Sequence, residues 1–235
     1  MKIRRILLKL SGEVLSGQNG FGIENDSLKY FSGQIKEVVD KGLQLGIVIG
    51  GGNIFRGAEL IENGFLDQVQ GDYMGMLATV INGLALQTSL EHSGLKCKLI
   101  TSFEIGKIGE PYNQHKVLNY FEQNYVVIFS GGTGNPLFTT DSAAALRAIE
   151  IHADVLLKGT KVDGVYSSDP VKNPKANRFT SVSFDEVIEK QLKVMDLTAF
   201  TLCREHQMPI IVFDINKTGN LSKVIEDHSI GTIIH

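Results

Sequence analysis

Seven short, nearly continuous apolar runs recur along the chain: RILLKL (5–10), LGIVIG (45–50), CKLIT (97–101), YVVIFS (125–130), DVLLK (154–158), PIIVFD (209–214) and GTIIH (231–235). A strand with one face in solvent alternates apolar and polar residues. These runs do not alternate, so each reads as a strand covered on both faces. The segment between the first two has a different period: Leu28, Phe31, Ile35, Val38 and Val39 recur at helical spacing, Asn25 and Asp26 offer an N-cap, and Gly42 offers a C-cap. Such strands alternating with amphipathic helices predict an α/β fold, a three-layer sandwich with a mostly parallel central sheet and helices on both faces.

One stretch departs from simple amphipathicity. DYMGMLATVINGLALQTSLEH (72–92) is apolar on more than one face and almost uncharged inside, so a helix there must bury one side on the sheet and the other on something else, most simply a partner subunit. Residues 159–182, rich in Gly, Ser, Asp, Pro and Lys, form the longest polar interruption. No repeat, low-complexity tract or linker divides the chain, and residues 1–235 are expected to form one domain.

Composition narrows the functional classes. With 43% apolar residues, a net charge of -3 and a pI near 6.1, the chain has no electrostatic footprint for nucleic acid. MKIRRILLKLSGE at the start is broken by Lys9 and too short in apolar residues for a signal peptide or membrane span, so a cytoplasmic protein is expected. Cys97 and Cys203 lie far apart without CxxC spacing and are expected to be reduced, buried apolar residues. The histidines are scattered without an HExxH pair, which argues against a zinc site.

Ligands of open α/β sheets bind outside the carboxyl ends of the strands. Four such ends here are glycine-rich or polar: KLSGE (9–13), GGGN (50–53), GGTGNP (131–136) and KGTKVDG (158–164). Glycines let backbone N–H groups approach a phosphate, although GGG alone is equally consistent with a tight turn. Lys9 interrupts an apolar strand and needs an anionic partner unless it snorkels out of the strand end. Arg56 either grips a phosphoryl group or is a surface arginine. Thr139, Thr140 and Asp141 could simply cap a helix, yet a helix N-terminus also favours phosphate, and Asp141 could orient lysines or hold a metal. Asp72 could cap the apolar helix or accept sugar hydroxyls, and Asp163, Tyr166 and Asp169 form either a solvated loop or a nucleoside contact. The P-loop, the dinucleotide fingerprint and the protein-kinase motifs are absent from the sequence.

Taken together, ILLKLSGE, GGGNIFRG, GDYMGMLATVING, GTGNPLFTTDSAAALRAIEI, KGTKVDGVYSSDP and KVMDLTAFTL resemble the amino acid kinase fold family, and within it the bacterial uridylate kinases, over nearly the full length. GDYMGMLATV and GNPLFTTD are the segments specific to the latter. The resemblance implies transfer of the ATP γ-phosphoryl to UMP with magnesium, in pyrimidine nucleotide synthesis, by a cytoplasmic homohexamer. It places Lys9, Leu10, Ser11, Gly12, Gly52 and Arg56 at the ATP phosphates and Thr160, Tyr166 and Asp169 around the adenosine. Gly51, Asp72, Thr133, Gly134, Asn135, Pro136, Leu137, Phe138, Thr139 and Thr140 would hold UMP, with Asp72 on the ribose. Lys9 and Arg56 would stabilise the transferring group. Asp141 would organise the cations or the metal, with Asp196 a further candidate for that role. Gly17, Gln18, Asn19, Gly20, Phe21 and Gly22 correspond to a stretch used in activation by GTP, and UTP commonly inhibits such enzymes; Gln18 and Asn19 stand where acidic residues are frequent. Gly159 follows Lys158 where alanine is usual. The alternatives are another kinase of this fold, acting on carbamate, acetylglutamate or aspartate, and a noncatalytic nucleotide sensor.

Overall fold

The computed structural model describes residues 3–57, 64, 66–168, 170, 172–173 and 175–235. Its strands, in chain order, are β1 (Arg5–Leu10), β2 (Gln44–Ile49), β3 (Cys97–Thr101), β4 (Glu110–Pro111), β5 (Val126–Ser130), β6 (Val155–Thr160), β7 (Ser181–Val182), β8 (Ile210–Asp214) and β9 (Thr232–Ile234). They form one sheet in the order β4-β3-β5-β2-β1-β6-β8-β9-β7. Pairing is parallel except between β8 and β9. The helices are α1 (Asn25–Asp40), α2 (Gln68–His92), α3 (Gln114–Glu122), α4 (Thr140–Glu150), α5 (Phe184–Glu189), α6 (Leu197–Glu205) and α7 (Asn220–Glu226).

Strand periodicity splits the core into two layers, as expected for a three-layer sandwich. Ile6, Leu8 and Leu10 of β1 pack with Phe31 and Ile35 of α1, Leu86 and Leu90 of α2 and Leu221 of α7. Leu7, pointing the opposite way, packs with Ala144 and Ala148 of α4, Phe121 of α3 and Phe200 of α6. Each fully buried leucine or isoleucine contributes about 1.5–3 kcal/mol of transfer free energy. The same period fixes the polar residues: Lys9 shares the face of Leu7, and Lys158 of β6 shares the face of Leu156, so both lie on the α4 side.

One expected cap is replaced, one of the two alternatives for Asp72 is removed, and two short strands are added. Helix α1 begins at Asn25 with Glu24 as the preceding extended residue, so neither Asn25 nor Asp26 is its N-cap; Ser27 instead donates to the Glu24 carboxylate at 3.0 Å. Helix α2 begins before Asp72, at Gln68, where the Asp67 side chain accepts from Gln70 N at 2.8 Å, so Asp72 caps nothing. The two-residue strands β4 and β7 had no apolar run to announce them. At the end of α1 the glycine expectation fits, since Gly42 follows the last turn with φ 81°.

The mixed character of α2 is also present. Met76, Val80, Leu86 and Leu90 are buried, while Tyr73, Leu77, Ile81 and Leu84 form an exposed stripe, with Ile81 half exposed at 50%. Among the described residues no helix is long and apolar enough to cross a membrane.

Candidate active site

The carboxyl ends of β1 and β6 lie side by side, with Lys9 and Lys158 as Cα partners. Helix α4 starts above them because Thr139 caps it: its hydroxyl accepts from Asp141 N at 3.0 Å and Ser142 N at 3.4 Å. That cap turns Asp141 inward. Lys158 Nζ donates to Asp141 Oδ2 at 2.6 Å and to Val194 O at 2.6 Å. Lys9 Nζ lies 2.8 Å from Asp141 Oδ1, an ion pair rather than an aligned hydrogen bond. Burial pushes the Asp141 carboxyl upward, but the two ammonium groups outweigh it and hold the group below its ordinary range. Burial also pulls Lys158 below the ordinary lysine value, against the opposing pull of Asp141. The cluster therefore holds two cations on one anion, a net positive charge just outside the sheet.

Lys158 was not assigned a role from the sequence, although its signal equals that of Lys9: a lone lysine ending an apolar strand. Asp196, expected to organise cations, has different partners. It caps α6 by accepting from Ala199 N at 2.8 Å, and it accepts from the hydroxyls of Thr139 and Ser142. Its carboxylate ties the starts of α4 and α6 together.

The triple glycine meets these strands from β2. A Cβ on Gly51 would come within 2.7 Å of Gly75 O and 2.8 Å of the Ala78 Cβ, so Gly51 is required by the close approach of α2. Gly52 has open space where a Cβ would point. Both glycines line one cavity of about 470 Å3 with Asp72, Gly132, Thr139 and Thr140. The expected division of Gly51 and Gly52 between two ligands is thus not visible in the walls. The turn is held by a buried amide pair absent from the sequence reading. Asn82 Nδ2 donates to Gly50 O and to Asn53 Oδ1, both at 2.7 Å, and Asn53 Nδ2 donates to Gly22 O at 2.7 Å. The signal was an asparagine inside the apolar run TVINGLAL.

Through Asn53 the stretch Gly17–Gly22 is tied directly to the glycine turn, since Gly22 N also donates to Asn53 O at 2.7 Å. Gly17, Gln18 and Asn19 form one 3-10 turn, Gly20 follows in a left-handed conformation, and Phe21 is exposed.

In the first loop, Leu10 is fully buried and its carbonyl accepts from Gly50 N at 2.9 Å. Ser11 Oγ accepts from Glu13 N at 3.3 Å, and Gly12 passes so close to Gly50 that a side chain would collide with it. Arg56 Nε donates to Gly52 O at 3.0 Å and its Nη2 donates to Glu13 Oε1 at 2.5 Å. Lys161 Nζ lies 2.7 Å from Glu13 Oε2. The Lys161 hydrogen bond and charge, with Arg56 beside them, hold Glu13 below its ordinary carboxyl range. Glu13, Arg56 and Lys161 line a second cavity of about 410 Å3.

A third cavity of about 420 Å3 is lined by Tyr166, Ser167, Lys190 and Lys193. Tyr166 donates its hydroxyl to Asp163 at 2.6 Å, and Thr160 closes a local turn by donating to Val162 O at 2.7 Å. Asp169 lies outside the described residues.

Beyond β5, Asp72 accepts from Leu137 N at 2.6 Å and from Gln68 Nε2 at 2.8 Å, linking α2 to the loop that leads into α4. Leu137 adopts φ 71°, a conformation disfavoured for a branched side chain, and Phe138 is exposed beside it. Thr133 and Asn135 bond within the loop: Thr133 Oγ1 accepts from Asn135 N at 3.2 Å. Gly134 also has a positive φ, and Pro136 precedes Leu137. The structure brings Gly51, Gly52, Asp72, Phe138, Thr139 and Thr140 to one cavity, next to the Lys9–Asp141–Lys158 cluster through α4. It does not bring Tyr166 or Thr160 to that cavity.

Comparison with other proteins gives a consistent outcome. The amino acid kinase family model matches residues 4–214. A uridylate kinase of Bacteroides thetaiotaomicron is 53% identical over 234 residues, covering 100% of this chain and 99% of that protein. One from Parabacteroides distasonis is 54% identical over 232 residues, covering 99% and 98%. The crystal structure of UMP kinase from Bacillus anthracis superposes with a TM-score of 0.96 at 35% identity, covering 100% of this chain and 97% of that one. That of uridylate kinase from Archaeoglobus fulgidus gives 0.74 at 27% identity, covering 98% and 99%.

Proposed function

The chain belongs to the amino acid kinase family, and we propose from that premise that it is a uridylate kinase, transferring the γ-phosphoryl group of ATP to UMP and releasing ADP and UDP. The observation that carries the reading is the identity of over half the residues, end to end, with relatives named for that activity. The Lys9–Asp141–Lys158 cluster at the sheet's carboxyl edge supplies the chemistry it needs.

A UMP phosphate oxygen is already a competent nucleophile, so no side chain needs to form a covalent intermediate; alignment and charge neutralisation suffice. In this reading UMP occupies the 470 Å3 cavity, its ribose hydroxyls replacing Leu137 N and Gln68 on Asp72 and its phosphate lying near Thr139 and Thr140 at the start of α4. ATP phosphates approach from the side of Ser11, Gly12 and Gly52, with Lys9, Lys158 and Arg56 meeting the charge that builds on the transferring group. Asp141 holds the two lysines apart and aimed. The adenosine lies toward Tyr166 and Thr160.

Among the described residues no three acidic, histidine or cysteine side chains converge. Magnesium would then be carried mainly on the ATP phosphates, with the Asp141 carboxylate, shared with Lys9 and Lys158, as the candidate protein group to hold it, and the ion would supply further neutralisation of phosphate charge. The wider reading is a cytoplasmic enzyme of pyrimidine nucleotide synthesis that self-associates, as a hexamer, through the exposed stripe of α2. GTP activation and UTP inhibition belong to the same proposal, with Gly17–Gly22 as the responsive stretch.

One assay tests the activity. ATP and magnesium are mixed with UMP, CMP, carbamate or acetylglutamate, and ADP release is followed. Release with UMP well above the others is expected; equal release with CMP, or none with UMP, would refute the substrate.

A further inference from the structure

Arg147 is a charged side chain in the core. It is 4% exposed and sits in the last turn of α4, six residues beyond Asp141. Burying a guanidinium is costly unless every donor has a use. Here its Cζ lies over the Tyr112 ring, 3.8 Å from the centroid, Nη1 donates to Glu150 at 2.5 Å, and Nη2 donates to Ser102 Oγ at 3.1 Å. The last of these bonds reaches the residue that follows the carboxyl end of β3.

Ser102 has one hydroxyl proton. With Arg147 occupying an acceptor position, that proton goes to Gly132 O at 2.6 Å, much shorter than the 3.3 Å to Ser130 O. The result is a one-way chain of donors from the guanidinium to the turn carbonyl, each bond polarising the next. The turn needs such support. Gly131, Gly132 and Gly134 have φ of 83°, 59° and 83°, and three left-handed glycines in four positions have little conformational preference of their own. Thr79 Oγ1 holds the turn from the α2 side, accepting from Gly131 N at 2.8 Å. Ser102 holds it from the other side, and Gly132 lines the 470 Å3 cavity.

We propose that Arg147 and Ser102 are positioning residues for the UMP site, fixing the Gly131–Gly134 turn from behind so that its wall is preformed before the acceptor binds. The proposal rests on the reading of that cavity as the UMP site. Neither residue reaches the cavity, so each acts through Gly132. The ATP side, built on the first loop and Glu13, is not part of the chain of bonds.

The test uses Ser102→Ala, Arg147→Lys and the double variant in the full chain, with two readouts. Without nucleotide, amide hydrogen exchange at residues 131–134 is expected to accelerate about tenfold in Ser102→Ala while the strands keep their protection. In steady-state kinetics the KM for UMP is expected to rise about tenfold, with KM for ATP within about twofold of the parent. Arg147→Lys alone should raise the UMP KM, but should add nothing in the Ser102→Ala background, because the two act in series. Unchanged exchange, a parallel rise in both KM values, or additive effects of the two substitutions would overturn the proposal. A parent enzyme without UMP-dependent turnover would instead refute the functional reading, and the exchange measurement would still decide whether the turn is tethered as described.

Discussion

Lys9 and Lys158 stand opposite each other on neighbouring parallel strands and share the two oxygens of one carboxylate, Asp141. Two ammonium groups this close would repel in the absence of the anion. The shared carboxylate is what lets both remain at the edge of an apolar sheet.

Replacing Lys9 by Met removes one cation without adding bulk at the strand end. Turnover should fall on the order of 10²- to 10³-fold while UMP binding, measured by calorimetry, is retained. Near-normal turnover would remove Lys9 from the mechanism.

Asp141→Asn leaves the two lysines facing each other unneutralised. Turnover should fall by about two powers of ten, and the alkaline limb of the pH–rate profile should move to lower pH, because Asp141 is the main group raising the Lys158 pKa against burial. In the parent, the lowered Asp141 pKa makes a contribution to stability that is complete above the ordinary value of 3.8 and is lost as pH falls through the folded-state value. Acid unfolding followed by circular dichroism should show Asp141→Asn converging on the parent below that range.

Asn82→Ala strips Gly50 O and Asn53 Oδ1 of a buried donor. The expected cost is about 1–3 kcal/mol in urea denaturation. A change below a few tenths would mean that the amide pair is not what fixes the glycine turn.

Glu13 pairs with both Arg56 and Lys161, so under the proposed placement of ATP it competes with the phosphate oxygens for these two cations. Glu13→Gln should lower the KM for ATP about two- to fivefold at low salt, with the difference shrinking at high salt because both cations are exposed. A raised KM would instead make Glu13 an aid to nucleotide binding.

Leu77→Glu with Ile81→Glu puts charge on the exposed stripe of α2. Light scattering should show a smaller assembly than the parent, with the monomer fold intact by circular dichroism. An unchanged mass would refute the proposal that this stripe carries self-association.

The strands were legible because residues such as Leu7, Leu8, Val48 and Ile128 are buried on both faces, which leaves unbroken apolar runs. Lys9 was legible for the complementary reason, as a charge where none is cheap. β4 and β7 were not, since two-residue strands at the sheet edges carry no period. Asn25 and Asp26 have the right chemistry for a cap, but the chain enters α1 one residue earlier, at Glu24. The Asn53–Asn82 pair and the link from Arg147 to Ser102 join residues 29 and 45 positions apart, and no local pattern encodes such a partner. The position of Glu13 between two cations is equally non-local, with Arg56 and Lys161 arriving from different loops.

The two cysteines, Cys97 and Cys203, are both unpaired and buried, and burial pushes each thiol up to about 12. On the order of one thiol in 10⁵ is then ionised at neutral pH, too few for an alkylating reagent to find in the folded chain. They sit on opposite core layers, Cys97 with the α1 side and Cys203 with the α4 side. Each layer thus carries its own built-in clock, whose labelling rate records how often that side of the sheet opens.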